Sequence, residues 1–169
     1  MRKNIFYVSI AIMSIFATDV IANDDACKSL TTVSGSVDTI NVSQSIQVGT
    51  IHLQLISVNN GKVVFEEDGG IVGRVTSQDT TGGSTLNHHI IFADGSKIET
   101  NGDEAQITGV TSGDVVPPCS FEVTEIISDL WGTRDFKKAS GMIYAVGTVN
   151  FCEGTNGNHF DLQGTVCLK

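Results

Sequence analysis

Histidines, clustered carboxylates and cysteines are the side chains of this sequence best suited to chemistry, and their spacing limits what that chemistry is. His88 and His89 are adjacent, and neighbours on a strand point to opposite faces. At most one of them can face an interior, and the two cannot chelate one ion in regular geometry. His52 lies in an alternating run. Ile46, Val48, Thr50, His52 and Gln54 share one parity, and Gln47, Gly49, Ile51, Leu53 and Leu55 share the other. Placing His52 with Ile46 and Val48, and His89 with Ile91, predicts that both histidines line an inner face among aliphatic neighbours. With Glu66 they would make a polar spot in an apolar cavity, which is how a small-molecule site is built. The run Glu66-Glu67-Asp68 also supplies paired carboxylates, but beside Gly69-Gly70 it reads more simply as a solvated turn.

Cys27, Cys119, Cys152 and Cys167 are even in number and widely separated. With no Cys-x-x-Cys pair, a zinc or thioredoxin-like site is not expected, and three disulfide pairings are open. Gly-x-Ser-x-Gly is absent, as are phosphate loops, metal motifs and cofactor fingerprints. The sequence therefore predicts neither a metal nor a cofactor, and no acid, base or nucleophile can be assigned from position. Asn41-Val42-Ser43 fits a glycosylation acceptor, relevant only in a eukaryotic secretory route.

The elements that must position these residues are short strands. Arg2 and Lys3, an apolar stretch over 5–17 and small residues at Val20 and Ala22 read as a secretory signal peptide cleaved after Ala22, leaving a single domain over 23–169. The apolar stretch is too short to span a bilayer, and no later segment is long enough. Export to the periplasm or the extracellular space suits disulfides. Asp and Glu outnumber Lys and Arg 19 to 10. That excess argues against a nucleic-acid partner.

Eighteen glycines, two prolines and many β-branched residues fit strands joined by tight turns. The predicted strands are 46–55, 62–67, 71–77, 86–93, 97–101, 105–110, 120–128, 141–152 and 158–167. Asn60-Gly61, Asp94-Gly95 and Gly102 turn the chain, Asp68-Gly69-Gly70 breaks it, and 78–85 and 112–118 are loops. No long amphipathic helix is expected. The fold class is all-β, a single antiparallel closed barrel of about eight strands, with a β-sandwich as the alternative.

Gly132-Thr133-Arg134-Asp135-Phe136, Ala139-Ser140-Gly141, Ala145-Val146-Gly147-Thr148-Val149 and Leu162-Gln163-Gly164-Thr165-Val166 resemble the end of the allene oxide cyclase and dirigent barrel families. Upstream, Gly69 to Arg74 and Phe92 to Ser96 resemble those families' earlier glycine pair and strand-turn signature. The resemblance implies a closed eight-stranded barrel. Arg134 and Trp131 stand where those families usually carry glycines, so the loop before Phe136 should differ in backbone or contacts. Independently of it, Gly141, Gly147 and Gly164 read as barrel corners or close-packing points, with Phe136 capping one end of the lumen.

If the loop around Arg134 joins two antiparallel strands, Cys119 falls near Cys152. In a closed barrel the first and last strands are neighbours, which brings Cys27 to Cys167. Those two pairings are the expected disulfides. Two functions compete. One is an exported barrel that binds a small apolar molecule in its lumen, which the resemblance would extend to cofactor-free cyclisation or dirigent-like guidance. The other is a non-enzymatic exported protein that binds a protein partner through loops 78–85 and 112–118. Binding without chemistry ranks first, and neither function calls for membrane insertion.

Overall fold

A computed structural model describes residues 27–154 and 157–169. The expected signal peptide and its cleavage point lie outside them. Ten strands form one antiparallel sheet: β1 (Ser29–Ser43), β2 (Ile46–Ser57), β3 (Val63–Gln78), β4 (Gly83–Phe92), β5 (Lys97–Glu99), β6 (Asp103–Val110), β7 (Ser120–Ile127), β8 (Trp131–Gly132), β9 (Ser140–Asn150) and β10 (Gly157–Leu168). Pairing of β3 with both β2 and β4, and of β1 with both β2 and β10, closes eight of them into a barrel, with β5 and β8 as additions beside β4. The chain therefore adopts the expected closed barrel rather than the alternative β-sandwich.

Closure leaves no long edge for other chains to pair with. Two disulfides fasten it, in the expected pairing. Cys27–Cys167 joins the start of the barrel chain to β10, and Cys119–Cys152 joins the residue before β7 to the segment just after β9, with Cα atoms 5.5 and 4.8 Å apart.

Turn chemistry accounts for the tight reversals. Gly61, Gly95 and Gly102 all take positive φ, which an L side chain adopts only with strain. The expected break at Asp68-Gly69-Gly70 is not there. β3 runs through it, paired to Ile51 and Thr50 on one side and to Phe92 and Ile91 on the other. The physical reason is crowding between strands rather than a turn: a Cβ at Gly69 would lie 2.7 Å from the carbonyl oxygen of Ile91. The long loop expected over 78–85 shrinks to 79–82, where Asp79 Oδ1 accepts hydrogen bonds from the Thr81 and Gly83 amides at 2.7 and 2.9 Å.

One end of the lumen is plugged. Phe136, on the short 3-10 turn Arg134–Phe136, packs edge-on against Phe65 and stacks with Phe92, with ring centroids 4.9 and 5.6 Å away. Arg134 takes a left-handed φ of 52°, a backbone conformation that glycine adopts freely. What it adds is contact, because its guanidinium donates to the carbonyl oxygen of Asp94.

The inward faces differ from expectation at two strands. On β2 the buried residues are Ile51, Leu53 and Leu55, and on β4 they are Leu86, His88, Ile90 and Phe92. His52 and His89 point outward, with side chains 45% and 43% exposed. The expectation that they line the lumen with Glu66 is thus corrected. Both parities of each strand carry aliphatic residues, and the larger apolar set, Leu53 with Leu55 or Leu86 with Phe92, takes the interior because it removes more apolar surface from water.

Candidate functional site

The lumen carries one polar wall, built where β4 changes partners. The first half of β4 pairs with β6, ending at Leu86 opposite Asp103, and its second half pairs with β5, starting at His89 opposite Glu99. His88 falls at this junction and points inward. The chain from β5 reverses through Asn101-Gly102, whose Gly102 amide donates to Asn87 Oδ1 at 2.9 Å. That tight reversal sets Thr100 and Asp103 against the same imidazole. Glu125 comes from β7, opposite Ala105 on β6 and Ala145 on β9. Two small neighbours leave its carboxylate free space.

His88 Nδ1 lies 2.8 Å from Asp103 Oδ2 and 3.5 Å from Glu125 Oε1. The nearer contact is a hydrogen bond in which the imidazole N–H donates to the carboxylate. Thr100 Oγ1 ties the pair to the backbone, accepting the His88 amide at 2.9 Å and donating to Asp103 Oδ2. All four residues are buried. Among the described residues, Asp103 Oδ1 and Glu125 Oε1 have no hydrogen-bond partner, although buried polar atoms are nearly always paired.

Electrostatics follow from that burial. Removal from water pushes the Glu125 carboxyl above its usual range, an effect that His88 partly offsets and Asp103 reinforces. At His88 burial works against the charged imidazole, but Glu125 and the hydrogen bond to Asp103 outweigh it and hold its pKa above the usual value. Such displaced ionisations in a cleft mark candidate functional groups, and structural ion clusters produce them too.

Next to this wall is a cavity of about 40 Å³, bordered by His88, Thr100 and Glu125 and otherwise mainly by aliphatic residues such as Ile51, Leu53, Ile143 and Leu162. A second cavity of about 100 Å³ continues toward the unplugged end, lined by Leu86, Phe121, Val149 and Phe151 among others. Gln47, Glu125 and Phe160 border both. The unplugged end has an apolar rim, since Val42, Val110, Val116 and Phe151 are all exposed there.

The residues expected from sequence form a different arrangement. His52 Nδ1 is 2.8 Å from Asp68 and its Nε2 is 3.9 Å from Glu66, so these three do meet, but on the outer face of β2 and β3. His89 contacts Glu99 at 3.2 Å, also outside. His88, Asp103 and Glu125 were not identified as site residues by the sequence. A signal existed at Glu125, which shares its parity with Phe121, Val123 and Ile127: a carboxylate in an inward apolar register. His88 likewise shares the parity of Leu86, Ile90 and Phe92.

Thr100→Val is expected to cost about 1 to 3 kcal/mol, because the isosteric change leaves the buried His88 amide and Asp103 Oδ2 without the hydroxyl that serves both. Denaturant unfolding of the variant checks this. A stability unchanged from the parent would mean that the hydroxyl does not organise the cluster. Comparison with protein-family models, curated proteins and solved structures finds no match to the chain.

Proposed function

We propose that this is an exported barrel that takes a small, largely apolar molecule bearing one polar group into its lumen. The observation that carries the reading is the asymmetry of the cavity wall: His88, Thr100 and Glu125 cluster on one side, and the rest of the lining is mainly apolar, with Thr39 and Gln47 as exceptions. Size follows from volume. An apolar cavity of about 150 Å³ accommodates benzene, and the two lumenal spaces of about 40 and 100 Å³ suit a ligand of that scale rather than a drug-sized one. The apolar rim gives such a molecule a route in.

Other features support the reading. Asp38, His52, Glu66, Asp68, His159 and Asp161 lie on the outside of β1, β2, β3 and β10, while the inside is mainly apolar apart from the polar wall. A transmembrane barrel has the reverse arrangement, with an apolar outer band, so the charged exterior favours a barrel that works in water. The two disulfides fit an oxidising compartment. The resemblance to allene oxide cyclase and dirigent barrels extends the proposal to guided cyclisation of a bound substrate, but its core is binding.

A second reading, protein binding through the 111–119 loop, draws on Val116, which is 88% exposed on a segment fastened by Cys119–Cys152. Native mass spectrometry of protein recovered from its own host's secretions separates the two. The lumenal reading expects a small-molecule adduct released on denaturation, and a protein adduct with an empty lumen would favour the loops.

A further inference from the structure

We infer that His88, Asp103 and Glu125 form a binding site for one divalent first-row transition-metal ion in the wall of the lumen. Chemistry, spacing and unmet bonding capacity point the same way. One imidazole and two carboxylates are a donor set suited to zinc or manganese, without the thiolates that would select softer ions. Their donor atoms all lie within 4.8 Å of one another. The separations of 2.8 and 3.5 Å from His88 Nδ1 to the two carboxylates correspond, at bond lengths of about 2.0 to 2.2 Å, to donor–ion–donor angles of about 80 to 90° and about 105 to 120°, near the octahedral and tetrahedral values respectively.

The second observation is independent of donor type. Asp103 is 0% exposed and Glu125 6% exposed, yet Asp103 Oδ1 and Glu125 Oε1 accept no hydrogen bond from any described residue. Two buried carboxylates facing one imidazole leave carboxylate oxygens without enough donors, in a medium that penalises unpaired polar atoms. A divalent cation would displace the protons these groups hold and supply the missing bonds.

The surroundings support ligation. Thr100 orients Asp103 from behind, as an outer-shell hydroxyl does at metal sites. Gly73 leaves room for the imidazole, since a Cβ there would stand 3.0 Å from His88 Nε2. The adjoining cavity of about 40 Å³ has space for one water or one polar ligand atom as a further donor. This inference does not depend on the lumenal ligand, because an ion can bind with the cavity otherwise empty.

The test uses the full disulfide-bonded protein, stripped with a chelator and titrated calorimetrically with zinc chloride or manganese chloride alone. One ion per chain is expected for at least one metal, with a matching rise in melting temperature. Asp103→Asn and Glu125→Gln should each weaken binding at least about tenfold, the loss typical even of outer-shell changes. His52→Gln, which removes an exposed histidine of the outer face, should leave binding unchanged. Near-UV circular dichroism confirms that each variant is folded. Cobalt(II) absorption of the unaltered protein gives a readout that needs no variant: d–d bands without thiolate charge transfer are expected. Absence of saturable binding of either metal would overturn the proposal. So would binding that persists unchanged in folded Asp103→Asn and Glu125→Gln variants, or binding lost in His52→Gln.

Discussion

Gly147→Val should lower stability by more than about 4 kcal/mol or prevent folding, whereas Thr148→Val one position along should stay within about 0.5 kcal/mol. Gly147 lies on β9 directly opposite Phe160 of β10. A Cβ there would sit 1.9 Å from the carbonyl oxygen of His159 and 2.6 Å from the Cα of Phe160. Both obstacles are backbone, so no rotamer change relieves them. Moving β10 away would open the seam between β9 and β10 and disturb β10's pairing with β1, on which closure depends. Gly49 faces the same constraint at β1, with the carbonyl oxygen of Asp38 at 1.9 Å. Thr148 is only partly buried, and a β-branched residue suits its strand. Thermal melts of the two variants decide the matter, and equal melting temperatures would contradict the close approach.

Removal of the Cys27–Cys167 disulfide should cost about 5 kcal/mol, against about 4 kcal/mol for Cys119–Cys152, on the chain-entropy account in which longer closed loops lose more freedom. The sequence separations are 140 and 33 residues. The first bond holds the beginning of β1 beside the end of β10, so its loss also frees the seam where the barrel closes last along the chain. Paired serine substitutions, measured by denaturant unfolding, give the two values. A Cys27/Cys167 variant as stable as the parent would show that strand pairing alone holds the seam. Free thiols at two or more of the four positions in the exported protein would remove the basis of the comparison.

Much of this architecture was legible in the sequence, for reasons tied to particular residues. Gly61, Gly95 and Gly102 announce turns because positive φ is cheap only for glycine, and each is found at a reversal. The disulfide pairing followed from hairpin arithmetic and barrel closure. Less legible was β1, to which the sequence reading assigned no strand. Its inward residues Thr31, Val33, Gly35, Val37 and Thr39 alternate with Thr32, Ser34, Ser36 and Asp38, a contrast too weak to stand out.

Facing was the harder question. On β2 and β4 both parities carry aliphatic residues, so choosing the inner face requires summing each side, and the histidines fell on the wrong one. The polar wall was missed because its members come from four places in the chain, His88, Thr100, Asp103 and Glu125. Only the partner switch of β4 brings them together. A long-range pairing of that kind leaves no local pattern, although Glu125 among Val123 and Ile127 was a visible anomaly.

If the lumen admits a small molecule against the polar wall, it should bind phenol, which has a benzene-sized body and one hydroxyl. Amide spectra of isotope-labelled protein are recorded during a phenol titration and repeated with Ala105→Leu, which fills the cavity beside Glu125. Saturable shifts centred on Glu125, Ala145 and Phe160 are expected in the parent, and their loss in the folded variant. Shifts confined to the outer strand faces or to the 111–119 loop, or identical saturation in both proteins, would contradict lumenal binding.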